Sequence, residues 1–266
     1  MIIEPLLILE LALLGLATGF LAGLLGIGGG MLMVPFLSII LTSRGFPAEL
    51  VVKMAVATSL ATICFTSLSS VRAHHQRGAV LWPVVLPLSP GILLGSLLGA
   101  QLAVALSGTV LSVLFAGFVA FSATQMLLNR RPKPTRALPK TPGLLAIGGL
   151  IGTVSAMLGA GGAFISVPFM TWSNINVHKA VATSAALGFP IALAGTVGYI
   201  WAGWNLPHIQ HGAVGYIYLP GLIVISIASM LMAPWGARTA HRIDMAPLKK
   251  VFACFLYLIA GYFLLR

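Results

Sequence analysis

The chain reads as a series of long apolar runs separated by short polar breaks. The runs fall at 5–25, 30–42, 49–72, 80–104, 109–128, 143–160, 163–173, 179–202, 213–234 and 247–265. Most hold about 20 residues, the length a helix needs to cross a hydrocarbon core roughly 30 Å thick. Two of them, 30–42 and 163–173, are shorter, and each follows a cluster of glycines. The pattern predicts an all-α polytopic membrane protein. One break is long enough to be a linker: residues 129–142, NRRPKPTRALPKTP, are basic and proline-rich, which predicts a solvated, partly extended segment. The linker divides the chain into a first transmembrane repeat, 1–128, and a second, 143–266.

The two halves repeat each other. GFLAGLLGIGGGMLMVPF (19–36) corresponds to GTVSAMLGAGGAFISVPF (152–169) at an offset of 133. Val52–Ser59 then matches Val177–Ser184 at 125, and Gly99-Ala100 matches Gly236-Ala237 at 137. The matches run in order with only small drifts in offset, which is the mark of an internal duplication. Consecutive glycines interrupt a helix, because glycine gains little from the helical state and leaves backbone exposed. Backbone freed inside a bilayer must find other partners. Matched glycine- and proline-interrupted apolar segments in two halves point to a transporter's binding site.

Composition agrees with the membrane reading: 59% of residues are hydrophobic and 7% charged, against about 25% charged in globular domains. A net charge of +11 would suggest nucleic acid in a soluble protein. Here the basic residues cluster between apolar runs, as membrane topology demands, and no aromatic platforms interleave with them. Their distribution also orients the halves. Loop 72–78 carries Arg72, His74, His75 and Arg77, whereas its counterpart 203–212 has no Lys or Arg. Loop 105–108 is uncharged, and its counterpart 236–250 carries Arg238, Arg242, Lys249 and Lys250. Under the positive-inside rule, equivalent loops face opposite sides. The expectation is two inverted repeats, each a glycine-broken helix of two segments followed by three transmembrane helices. The linker is then cytoplasmic and both termini are outside. Eight ordinary spans with a parallel duplication are the alternative. The N-terminus, with Glu4 and Glu10 and no basic region, reads as a retained first segment.

The candidate chemistry is that of an anion site. Tight glycine turns present successive N–H groups, a nest that binds anions, and a helix starting at Met31 or Ala163 aims its positive dipole end at the same place. Gly28, Gly29, Gly30, Gly161 and Gly162 are the candidate substrate-binding backbone, while Gly15, Gly19 and Gly23 fit close helix packing. Thr58, Ser59, Thr183 and Ser184 could add hydroxyl donors, or bond back to their own helices. Lys53, His178 and Lys179 are candidate anion-path cations, or residues that snorkel to the interface. Gln101 aligns with Arg238 and is a candidate pore-facing polar position. Glu10 is the one acid well inside an apolar run and a candidate for proton coupling. Cys64 and Cys254 read as small buried hydrophobes, His208 and His211 as interfacial residues. No metal site, cofactor or enzymatic motif is expected.

The doubled motif GLLGIGGGMLMVPFL and MLGAGGAFISVPFM, each followed by an A-V-A-T-S helix, resembles the sulfite exporter TauE/SafE permeases, also called the TSUP family. The resemblance covers both halves. It implies a multi-pass inner-membrane secondary transporter whose partners are the lipid bilayer and a small sulfur oxyanion or organosulfonate, such as sulfite, thiosulfate or sulfoacetate. Alternating access would rock one inverted half against the other. An anion channel, or a transporter of a small organic acid, is the competing reading. The second copy has Ala160 and Ala163 where the first has Ile27 and Gly30, so the two half-sites would be non-equivalent.

Overall fold

The computed structural model describes residues 4–25, 29–128, 137–204, 206, 212–240 and 245–264. The first half forms α1 (Pro5–Leu25), α2 (Gly30–Ser43), α3 (Ala48–Gln76), α4 (Trp82–Ala105) and α5 (Gly108–Leu128). The second forms α6 (Thr141–Leu158), α7 (Ala163–Trp172), α8 (Val177–Ala202), α9 (Leu219–Ala240) and α10 (Met245–Leu264). Among the described residues, seven helices are long and apolar enough to cross a membrane. Large apolar side chains such as Leu94, Leu231 and Leu258 stay more than 60% exposed on the outer faces of α4, α9 and α10. Lipid would cover such a surface. The chain is an all-α, multi-pass membrane protein.

Both short runs are short helices. At about 1.5 Å per residue, the 14 residues of α2 and the 10 of α7 reach roughly 21 and 15 Å, less than a bilayer core. Three expectations about loops change. Residues 72–76 continue α3, so Arg72, His74 and His75 sit on its last turns. Arg238 lies on the last turn of α9, and Lys249 and Lys250 fall within α10. Residues 213–218, expected to begin a span, form a hairpin of β1 (Ala213–Val214) and β2 (Ile217–Tyr218), paired Ala213 to Tyr218 and Val214 to Ile217. Linker residues 129–136, and Gly28, His208, His211 and Arg242, lie outside the described residues.

The two halves are interleaved. α1 packs against α9, and α4 against α6, through backbone-to-backbone contacts that only glycine permits. A Cβ on Gly91, Gly95 or Gly99 of α4 would stand 2.1–2.3 Å from the carbonyl oxygens of Leu145, Gly149 and Thr153. On α1, one at Gly19 would stand 2.5 Å from the Ser229 oxygen. The fourth helix of each repeat is thus lodged beside the first helix of the other. One bundle comprises α1, α2, α3 and α9; the second comprises α6, α7, α8 and α4. They meet where α3 lies on α8, and α5 and α10, outside both bundles, pack on each other. α3 and α8 are the most enclosed long helices, with 78% and 61% of their apolar windows buried against 33% for α1 and α5.

Contacts fix the relative directions. Leu60 of α3 faces Gly195 of α8, and Ser67, further along α3, faces Gly188. The two equivalent helices therefore run antiparallel. So do α5 and α10, where Phe115 meets Phe263 and Thr124 meets Tyr257. α1 and α9 run parallel, as do α4 and α6.

Candidate functional site

Each glycine turn ends in a left-handed residue that starts the short helix. Gly29 has φ 65° and Gly162 φ 76°, a conformation that costs an L-residue energy and glycine none. Each is the N-cap of its helix and accepts the first bonds. The Gly29 carbonyl takes Leu32 and Met33 N–H, and the Gly162 carbonyl takes Ile165 and Ser166 N–H. The opening N–H groups of α2 and α7 have no intrahelical acceptor. Pro35 and Pro168 then occupy the same position in each short helix.

The two turns meet inside the protein. A Cβ on Gly30 would lie 2.3 Å from the Gly159 carbonyl oxygen and 3.1 Å from Ser59 Oγ. Ser59 Oγ donates to that carbonyl at 2.8 Å. Gly30, Gly161, Gly162, Ser59 and Ser184 are all buried. Ser184 Oγ shares a 2.6 Å bond with Ser166 Oγ, at the first turns of α7. Ser155 Oγ, 1% exposed as a residue and without a hydrogen-bond partner, lies 3.2 Å from the position of a Gly162 Cβ.

The threonines face elsewhere. Thr58 Oγ1 accepts Tyr218 N–H at 2.9 Å, and Thr183 Oγ1 accepts Leu81 N–H at 3.0 Å. Tyr218 and Leu81 immediately precede α9 and α4, and they are equivalent at the offset of 137. Each threonine therefore satisfies an amide at the head of the helix its bundle received from the other repeat. This is a structural contact, made twice in symmetry. Nothing in the sequence of either Thr-Ser pair signals it, because the partner is about 100 residues or more away.

The charged candidates do not gather at the turns. Lys53 is 8% exposed, and its Nζ donates to the Val104 carbonyl at 2.9 Å, at the C-terminal end of α4. Four residues earlier, Glu49 Oε2 accepts Gly108 N–H at the head of α5. One turn of α3 thus places a cation at a helix C-terminus and an anion at a helix N-terminus, both favourable to the dipoles. His178 and Lys179 are exposed on the first turn of α8. Glu10 pairs with Arg44 at 3.1 Å, and Glu4 pairs with the same guanidinium. Glu10 first and then Glu4 hold the Arg44 charge more firmly than usual. The pair ties the start of α1 to the end of α2, so α2 returns to the side from which α1 set out. Gln101 Nε2 donates to the Gly198 carbonyl at 3.1 Å between α4 and α8.

Comparison with known proteins decides the family. Residues 11–263 match the family described as sulfite exporter TauE/SafE. The chain belongs to the TauE/SafE family. It is 36% identical over 254 residues to a probable membrane transporter protein of Haemophilus influenzae, covering 95% of this chain and 96% of that one. A probable membrane transporter protein of Methanocaldococcus jannaschii, MJ0441, is 26% identical, with 98% and 97% covered. YdhB of Bacillus subtilis, also a probable membrane transporter protein, is 28% identical, with 98% and 99% covered. The chain is therefore a TauE/SafE membrane transporter.

Proposed function

We propose that this TauE/SafE protein is a secondary transporter that carries a small sulfur oxyanion, such as sulfite or thiosulfate, across the inner membrane by alternating access. The observation that carries the reading is the meeting of the two glycine turns in the interior. Two half-length helices begin there, each directing unpaired N–H groups and the positive end of its dipole inward. Oxyanions accept several short bonds from such donors. Ser166 and Ser184 share one hydrogen bond and so keep one hydroxyl proton for a ligand, without adding buried charge, while Ser59 braces the two turns through the Gly159 carbonyl. A transporter explains the burial of these residues better than a channel does, because a closed site needs motion for access.

The repeats are inverted on this reading. Antiparallel packing of α3 on α8 and of α5 on α10 supports it, since a parallel duplication would set equivalent helices parallel across their axis. Inversion also brings the ends of α3, α5 and α9 to one side. Arg72, Arg77, the basic linker and Arg238 then share the cytoplasmic face. The moving bodies differ from the two halves of the sequence. α4 is seated on α6 and α9 on α1 with almost no space between backbones, so the exchanged bundles move as units. The junction along which they slide is that of α3 with α8.

The test is a thermal-shift panel on detergent-purified protein with sulfite, thiosulfate, sulfoacetate, sulfate, acetate and chloride. A ligand at a hundredfold excess over its Kd stabilises the folded state by about 2.7 kcal/mol. A selective rise with a sulfur oxyanion is the expected result. Equal rises with acetate, or none, would overturn the substrate class.

A further inference from the structure

The two turns carry the same backbone and different side chains. Ser155 and Ala22 are equivalent at the offset of 133, as are Ser166 and Met33. The positions coincide in space: a Cβ on Gly162 would stand 3.2 Å from Ser155 Oγ, and one on Gly29 would stand 3.3 Å from Ala22 Cβ. Where the second turn faces a hydroxyl, the first faces a methyl group. Ser155 is the more notable because a buried serine in a helix normally bonds back to the carbonyl one turn earlier. Ser155 Oγ has no such bond, and its residue is 1% exposed. An unsatisfied buried hydroxyl costs stability, and such groups accumulate where a ligand completes the bond. Ser96, Ser122 and Ser226 are also buried without partners, but each lies in the interior of its own helix, α4, α5 or α9.

Resting on the reading of the turns as an anion site, we propose that the seat is lopsided. The oxyanion binds at the second turn, over the start of α7, and Ser155 Oγ donates a hydrogen bond to one of its oxygens. Ser184 and Ser166, joined to each other, border the same helix start. The first turn, lined by Ala22, closes against the second through Gly30, and the hydroxyl beside it, Ser59, is already committed to the Gly159 carbonyl, so this turn supplies shape and no free hydroxyl donor.

The test uses full-length protein in proteoliposomes, with radiolabelled sulfite and thiosulfate as probes, together with melting curves in detergent. Ser155→Ala makes the second turn resemble the first. It is expected to raise KM by about ten- to hundredfold, the cost of a hydrogen bond to a charged group. The melting temperature without ligand should hold or rise, because the lost hydroxyl had no partner. A purely packing role would instead lower the melting temperature and leave KM alone, and that result overturns the assignment. Restored affinity in the double variant Ser155→Ala, Ala22→Ser would show that either turn serves, and would overturn the lopsided seat. Transport by the wild type with Ser155→Ala unchanged would remove Ser155 while leaving the anion site standing. Failure of the wild type to bind or move either probe would overturn both.

Discussion

Thr58 and Thr183 show how one residue can carry a fold. Each hydroxyl satisfies the amide ahead of a helix borrowed from the other repeat, buried at Tyr218 and partly buried at Leu81. Removing the acceptor strands that amide, so Thr58→Ala and Thr183→Ala should each cost about 1–3 kcal/mol, read as a lower melting temperature in detergent. Serine at either position should restore most of the loss; full stability in the alanine variants would show that the bonds do not matter. Glu10 was legible in the sequence as an acid inside an apolar run, but its partner was not, because Arg44 is brought to it only when α2 folds back along α1. Since the partly exposed pair ties the start of α1 to the end of α2, Glu10→Gln should leave uptake of labelled sulfite into proteoliposomes under an imposed proton gradient equal to that of the wild type. Loss of that uptake at unchanged protein level would give Glu10 the coupling role. Ser155 left a trace that comparison of the two copies could have revealed: one hydroxyl standing where its counterpart is alanine.

At the level of elements, the hydrophobic pattern predicted nearly every helix, because a membrane span must be long, apolar and internally bonded. Glycine clusters marked both breaks for the same reason. Helix ends were less legible. His74 and His75 continue α3 because polar residues remain compatible with helix at the interface, and the 213–218 hairpin is too short to have a period. The pairing of elements is long-range and left only the glycines as a sign. Gly95 lies so close to Gly149 that Gly95→Leu should prevent α4 from seating on α6, destabilising the protein by several kcal/mol. A folded variant with the wild-type melting temperature would refute that packing.

For the whole molecule, the charge pattern is the sign in the sequence from which inversion is proposed, and the duplication is the sign of symmetry. The exchange of α4 and α9 between bundles was not legible, since both arrangements bury similar apolar faces. It has a mechanical consequence. Cys64 of α3 faces Thr196 of α8, 3.7 Å apart across the junction between bundles, whereas Thr18 and Ser229 face each other within one bundle at 3.3 Å. In a background without Cys254, oxidising the Cys64 pair with Thr196→Cys should arrest transport. A Thr18→Cys, Ser229→Cys bridge should leave transport running; arrest by the second bridge and not the first would reverse the assignment of moving units. The central claim, a carrier whose anion seat is formed by the glycine turns, is tested most directly by counterflow. Proteoliposomes loaded with unlabelled sulfite are placed in a trace of labelled sulfite, with wild type compared against Gly162→Leu. The wild type should accumulate label transiently above equilibrium, and the variant, whose new side chain would collide with Ile191 and occupy the turn, should not. Label that only equilibrates in the wild type, or overshoots equally in Gly162→Leu, would contradict the account.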